Sequence, residues 1–312
     1  MNAATGSTAA SSSAAPGDAA PGSAPSGNAA APSDAPRLRR SSSERPTSWW
    51  LGVLERRAKK MHDEYVDLST PIPFASEEER RAAIKFFNAA FRAEESGLRQ
   101  AHELADEVRA WDPDLARVLE LYGNEEGWHR ELVDDFLKYL GGGVEPMGRV
   151  TRTLYKLYAR AERMETIVLT NLMFETIGAA TYRMALRNVE FPAARHMLTI
   201  LTRDESFHVP LNVHFLRQVV LRNPAAKKRL RWVFLLLFFS LTILPWASRP
   251  KAKLFDRIEA RDLARGYVEM LSRLFLSEPD LGLEPPGFVL FLLGLNKKEL
   301  RRLEGPGVAS IE

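Results

Sequence analysis

The sequence predicts an all-α protein, an antiparallel four-helix bundle with extra C-terminal helices. Three observations carry this. From about residue 76 onward, apolar residues recur at steps of three and four, the period of a helix that buries one face. No alternating run of β-branched residues bounded by turn residues interrupts them. Start and stop signals cut the pattern into long segments with short connections, which places successive helices antiparallel.

The first segment opens at Ser76, with Glu79 three residues on, a pairing in which hydroxyl and carboxylate cap backbone N–H groups at a helix start. Its apolar series Ile84, Phe87, Phe91, Leu98, Ala101, Ala105 and Val108 has Glu94 in register. The second begins at Asp112-Pro113, since proline in a first turn forfeits no hydrogen bond, and stops at Gly141-Gly142-Gly143. A third stretch is expected from about Pro146 to Asn188, with a break near Ala161. The fourth runs from about Pro192 to Asn223, and Pro210, which has no N–H to donate, is expected to kink it. Asn223-Pro224 then opens a helix carrying the most apolar run of the chain, Trp232 to Ala247. A further helix is expected from about Leu254 to Ser277, followed by an apolar patch (Phe288 to Leu295) and a basic segment with Lys297, Lys298, Arg301 and Arg302.

Ahead of these helices, residues 1–36 are Ala, Ser, Pro and Gly with a few polar residues and contain no Val, Ile, Leu or Phe. Such a segment cannot bury enough apolar surface to offset chain entropy. A basic patch follows, and Trp49, Trp50 and Leu51 mark the start of folded protein. The expected organisation is a disordered tail over 1–46, a helical bundle over 47–222 and an apolar, basic extension over 223–312.

Composition narrows the chemistry. The 312 residues include no cysteine, which excludes disulfides, thiol nucleophiles and thiolate metal sites, so any metal must be held by His, Asp and Glu. A formal charge of only +3 gives no reason to expect a nucleic-acid partner. No positive segment followed by an apolar stretch opens the chain, so a cytoplasmic place is expected.

Two of the six histidines follow a glutamate by three residues, in Glu126-Gly-Trp-His129 and Glu205-Ser-Phe-His208, and each glutamate is itself preceded by an acid, Glu125 and Asp204. This spacing puts carboxylate and imidazole on one helix face. Between Ile167 and Ala180 the only charge is Glu175, and a lone carboxylate in so apolar a helix needs a cation or a proton. Glu94-Glu-Ser-Gly97 aligns with Glu175-Thr-Ile-Gly178; Glu94 precedes Glu126 by 32 residues, and Glu175 precedes Glu205 by 30. Each half is thus a glutamate, about thirty residues, then Glu-x-x-His. Two such helix pairs aim four carboxylates and two imidazoles into a bundle core, the ligand set of di-iron and di-manganese carboxylate proteins. Glu95 reads as a solvated neighbour, His62 and His102 as surface residues, and His196 as facing away. Tyr122 and Tyr182 read as ordinary core.

With these residues the chain resembles the ferritin-like di-iron carboxylate superfamily over about Ser76 to Asn223. The resemblance implies Glu94, Glu126, His129, Glu175, Glu205 and His208 as metal-binding and catalytic residues, with Glu126 and Glu205 bridging or capping two metals. It implies two iron ions or a manganese–iron pair, and O2 as co-substrate. It also implies that Asp204 and Glu125 accept hydrogen bonds from the imidazoles across the site, fixing their orientation. Ala93-Glu-Glu-Ser-Gly97 resembles the oxidative-cyclase branch. Leu201 stands where the amino-arene N-oxygenases carry an extra histidine, and Ala179 where the multicomponent monooxygenases carry a threonine.

The expected function is therefore an O2-dependent oxidase, hydroxylase or desaturase of a largely apolar small molecule. Electrons would come from an external reductase or ferredoxin, because no Rossmann-type glycine fingerprint or cysteine cluster is present. The kink at Pro210 is expected to open space beside the second metal. Iron handling without an organic substrate (ferroxidase, storage or sensing) and a metal-free adaptor at a membrane surface are the alternatives. The run Trp232 to Ala247 reaches about 24 Å, short of a bilayer core of roughly 30 Å. Basic residues on both flanks suit an in-plane contact on the inner membrane face; burial or a homodimer interface are the other expectations.

Overall fold

The computed structural model describes residues 44–146, 148, 152 and 163–302, and among these there is no strand. Most of the expected tail, and the expected break near Ala161, lie outside the described residues. The bundle consists of α2 (Glu77–Val108), α3 (Pro113–Tyr139), α4 (Met164–Asn188) and α5 (Pro192–Arg222). Ahead of it stands α1 (Thr47–Ala58), a helix that the sequence signals did not reveal.

The caps form as the residue types require. Ser76 Oγ accepts from Glu79 N at 3.1 Å, while Glu79 Oε2 accepts from Ala75 N rather than from the cap residue itself. Asp112 accepts from Leu115 N at 2.9 Å, and Gly141 takes a positive φ of 72° just beyond the end of α3. Arginines tie each hairpin. Arg80, in the first turn of α2, donates to the Leu140 carbonyl at the end of α3. Arg195, at the start of α5, donates to the Leu186 and Val189 carbonyls at the end of α4. Each covers carbonyls that a helix end leaves without partners. Pro210 sits inside α5, which continues on both sides of it.

α1 packs across α3 and α5. Trp50 is fully buried, with its ring 5.5 Å from Phe207, and Thr47 Oγ1 lies 3.1 Å from His214 Nε2.

Beyond the bundle, α6 spans Ala226–Asp256, so the expected start of a new helix at Leu254 is corrected: Leu254 belongs to α6. The chain turns only at Arg257, whose φ of 54° is left-handed, and α7 then runs from Ala260 to Ser277. Two short helices follow, α8 (Gly287–Leu292) and α9 (Lys297–Arg302). The extension is fastened to the bundle along its length. Arg229 pairs with the buried Glu165 at the start of α4, Asn188 bonds the Asp256 carbonyl, Phe255 packs on Phe86 and Phe87, and Tyr267 meets Thr181. α6 is not covered all round: Phe234, Leu237, Phe238 and Leu241 are buried, while Trp232, Leu236 and Ile243 are exposed.

Candidate metal centre

The four long helices bring all six expected residues together. Glu94 on α2, Glu126 and His129 on α3, Glu175 on α4, and Glu205 and His208 on α5 are all buried, none more than 8% exposed. Ligand-capable atoms of Glu126, His129 and His208 lie within 4.8 Å of one another, as do those of Glu175, Glu205 and His208. Glu94 Oε2 stands 3.4 Å from His129 Nδ1, which joins α2 to the same cluster. Glu95 faces outward and pairs with Arg92. His62 and His196 are exposed, whereas His102 is half-buried beside Gly123 rather than on the surface.

The two glycines of the repeat differ in their surroundings. A Cβ on Gly97 would fall 2.7 Å from Glu126 Oε2, a distance real Cβ atoms do not tolerate; on Gly178 it would meet Glu205 Cδ at 3.8 Å, an ordinary contact. Only in the first hairpin, therefore, does the glycine make room for the carboxylate of Glu-x-x-His.

The imidazoles are held crosswise. His129 Nε2 on α3 meets Asp204 Oδ2 on α5, and His208 Nε2 on α5 meets Glu125 Oε2 on α3, each at 3.1 Å. An ionised carboxylate can only accept, so Nε2 carries the hydrogen and Nδ1 is turned into the cluster. The resemblance implied this bracing. Arg57 was not anticipated. From α1 it donates to Glu125 Oε1 at 2.7 Å and to Asp204 Oδ1 at 2.8 Å, so one guanidinium joins both carboxylates behind the two imidazoles. Arg203 adds a second cation on Asp204.

Tyr122 and Tyr182 are more than core filling. Tyr122 donates to Glu175 Oε1 at 2.6 Å and Tyr182 to Glu94 Oε1 at 3.1 Å, so each tyrosine fixes one oxygen of a site glutamate and leaves the other turned inward. The result is uniform. Glu94 Oε2, Glu126 Oε1, His129 Nδ1, Glu175 Oε2, Glu205 Oε2 and His208 Nδ1 are all buried and face only one another, His208 Nδ1 lying 2.8 Å from Glu126 Oε1, and none has a hydrogen-bond partner outside the cluster among the described residues. Each of the six side chains thus turns one atom to the same space, and buried acceptors crowded in this way cost free energy unless a cation or shared protons answer them. Oxygen and imidazole nitrogen donors suit iron and manganese. The donor set fits a pair of such ions.

Protonation reflects the same crowding. Burial pushes Glu126 and Glu205 well above the usual carboxylate range, and the Glu175 charge pushes both further. Burial also opposes ionisation of Glu175, but bonds from Glu205, His208 and Tyr122 outweigh it and bring this group down to about 2. Burial would lower His129, yet Asp204 and Glu94 raise it to about 10; His208 is likewise raised, against its burial, chiefly by Glu126. Asp204 and Glu125 lie below their usual range despite burial, because an imidazole and Arg57 face each.

A cavity reaches the cluster between α2 and α4. Its walls include Glu94, Glu126, Glu175 and Glu205 together with Ala93, Ser96, Gly97, Arg99, Gln100, Thr170, Asn171, Phe174, Gly178 and Tyr182. Neither His208 nor Pro210 lines it, so this cavity is not the opening expected beside Pro210.

Residues 85–211 match the family model described as Rubrerythrin. No curated protein and no solved structure matches the chain. The matched span contains all six cluster residues and both bracing acids, but neither α1 with its Arg57 nor the extension from α6 onward.

Proposed function

From a chain whose residues 85–211 belong to the ferritin-like di-iron carboxylate superfamily, we propose an O2-dependent oxidase or oxygenase that acts on a small organic molecule. The observation that carries this reading is the cavity. Apart from the four cluster glutamates, its walls carry no acidic group, and Arg99 stands among them. A route for iron ions as substrate gains from negative potential along its length; a positive residue opposes it. An organic molecule has no such requirement. Ala93, Gly97, Phe174 and Gly178 offer apolar contact, and Gln100 and Asn171 offer amide groups, with Asn171 Nδ2 buried and without a partner among the described residues. A substrate with an apolar body and one hydrogen-bond-accepting end fits these walls better than a wholly apolar one.

Glu94, Glu126 and His129 from one hairpin, and Glu175, Glu205 and His208 from the other, would hold the two metals. Bound there, a reduced iron pair supplies two-electron reduction of O2. The protein's own part is positional. Asp204 and Glu125 fix the imidazole rings, Tyr122 and Tyr182 fix two carboxylates, and a bound cation would favour the ionised forms of Glu126 and Glu205 that burial disfavours. Reducing equivalents would come from a separate donor protein. A metal-free adaptor would leave six buried atoms crowded together without a cation and has no comparable support.

The test is to load the protein anaerobically with Fe(II), supply O2 and a chemical reductant, and follow O2 uptake across small-molecule candidates. Two irons per chain and substrate-dependent uptake with an oxidised organic product are expected. Catalytic oxidation of excess Fe(II) that no organic molecule alters would overturn the reading in favour of iron handling.

A further inference from the structure

α6 presents two apolar faces, and only one has a partner. Phe234, Leu237, Phe238 and Leu241 are buried against the protein. On the opposite side Trp232, Leu236, Ile243 and Trp246 are exposed. At 100° per residue these four fall within an arc of about 80°, a single stripe along the helix. α8 widens it: Phe288 lies 6.0 Å from Phe239, which is in the same arc, and Phe288, Phe291 and Leu292 are also exposed. The seven bare side chains range from 49% to 81% exposed, a concentration unlike the scattered apolar residues of an ordinary surface.

Charge says what the face meets. From Ala226 to Phe255 the helix has no acidic residue, and exposed Lys228 lies one turn before Trp232 on the same stripe. Arg231 and Lys298 are exposed as well. A second copy meeting this face through its own α6 would bring no acidic residue to the basic ones, since the helix has none from Ala226 to Phe255. An anionic lipid surface complements both the stripe and its basic end, and tryptophans at each end of the stripe suit the headgroup level. The stretch Ala226–Trp246 has 21 residues, so length alone would allow it to cross a bilayer. The buried face decides otherwise, because a span would have to strip Phe234 and Phe238 from the protein core.

We propose that the α6–α8 face lies in the plane of an anionic membrane surface, with the bundle above it. This goes beyond the oxidase reading and does not depend on it. Flotation of the full chain with phosphatidylcholine vesicles, with and without phosphatidylserine, tests it. Binding to the anionic vesicles, weakened by salt, is expected. Leu236→Glu with Phe291→Glu should abolish it while helicity and metal content stay unchanged. Lys228→Gln, Arg231→Gln and Lys298→Gln together should weaken it roughly a hundredfold, at about fivefold per basic residue near the surface. A wild-type protein that does not float, or a Leu236/Phe291 variant that floats as well as wild type, would overturn the proposal. So would a wild-type dimer that this variant splits, since the occupant would then be a second copy.

Discussion

The two sides of the cluster are built for opposite purposes. On the α3–α5 side, each imidazole is backed by a carboxylate from the other helix, and Arg57 closes the arrangement from outside. On the α2–α4 side the repeat places Gly97 and Gly178, and a cavity reaches the same carboxylates. One side fixes geometry; the other leaves room. A shared site can therefore keep its ligands rigid while remaining open to a small molecule, because bracing and access come through different helix pairs.

The strongest way to break this contrast is to remove a ligand from the open side. Glu175→Ala should empty the site and abolish activity, as should Glu94→Ala, whereas Glu95→Ala should keep both metals, since Glu95 only pairs with Arg92 at the surface. Metal analysis of protein purified without chelator decides. Loss of fold in the metal-free Glu175→Ala chain is not expected, because an unanswered buried carboxylate is itself costly.

Acid should empty the site next. Metal binding requires both imidazoles and all four carboxylates to be free of protons on their binding atoms. In the metal-free chain burial raises Glu126 and Glu205, neighbouring carboxylates raise His208 against its burial, and Asp204 and Glu94 bring His129 to about 10, so His129 still carries its extra proton at neutrality and must release it to a metal. Glu175, at about 2, is already ionised and contributes none. The sign follows: affinity falls as pH falls, by about tenfold per pH unit for each proton displaced. Calorimetry in buffers of different ionisation enthalpy should show net proton release on loading. Uptake without proton release would contradict the protonation just described.

Much of this was legible in the sequence, and the gaps have physical causes. Register placed Glu94 rather than Glu95 inside, and the repeat of Glu-x-x-Gly with Glu-x-x-His identified all six converging residues. Local chemistry placed the caps at Ser76 and Asp112. Arg57 was not legible, because its partners lie 68 and 147 residues away and no local pattern marks them. The same holds for Tyr122 and Tyr182, whose hydroxyl targets sit on other helices. α1 has only 12 residues and no side-chain cap. Along α6 both faces are apolar, so periodicity could not separate the packed one from the bare one.

The braced side is tested by Arg57. Arg57→Gln should weaken metal binding about 10- to 100-fold, the range for losing a partner that orients a ligand, with Arg57→Lys intermediate because ammonium cannot bridge two carboxylates as a planar fork does. Deleting residues 1–46 should leave metal content intact, since α1 begins at Thr47. A deletion that also removes α1 should match or exceed the Arg57→Gln loss, as it exposes the face that Trp50 covers. Equal affinity in wild type and Arg57→Gln would reduce the guanidinium to a surface ion pair.

The smallest effect sharpens the open side. Gly97 and Gly178 occupy matching places in the repeat, yet their surroundings differ. At Gly97 an added methyl would stand 2.7 Å from Glu126 Oε2, so Gly97→Ala must displace a metal-facing carboxylate and should lower metal affinity. At Gly178 nothing lies nearer than 3.8 Å. There the gain from replacing a mid-helix glycine dominates, about 1 kcal/mol, or roughly 2 °C in Tm for a chain of this size. Because Gly178 also lines the cavity, the methyl takes up space where the substrate would sit. Gly178→Ala should therefore raise Tm slightly, keep both metals and raise KM more than it lowers kcat. A Gly178→Ala chain that loses metal would show that the α4 glycine, like its α2 counterpart, is there for the carboxylate rather than for the cavity.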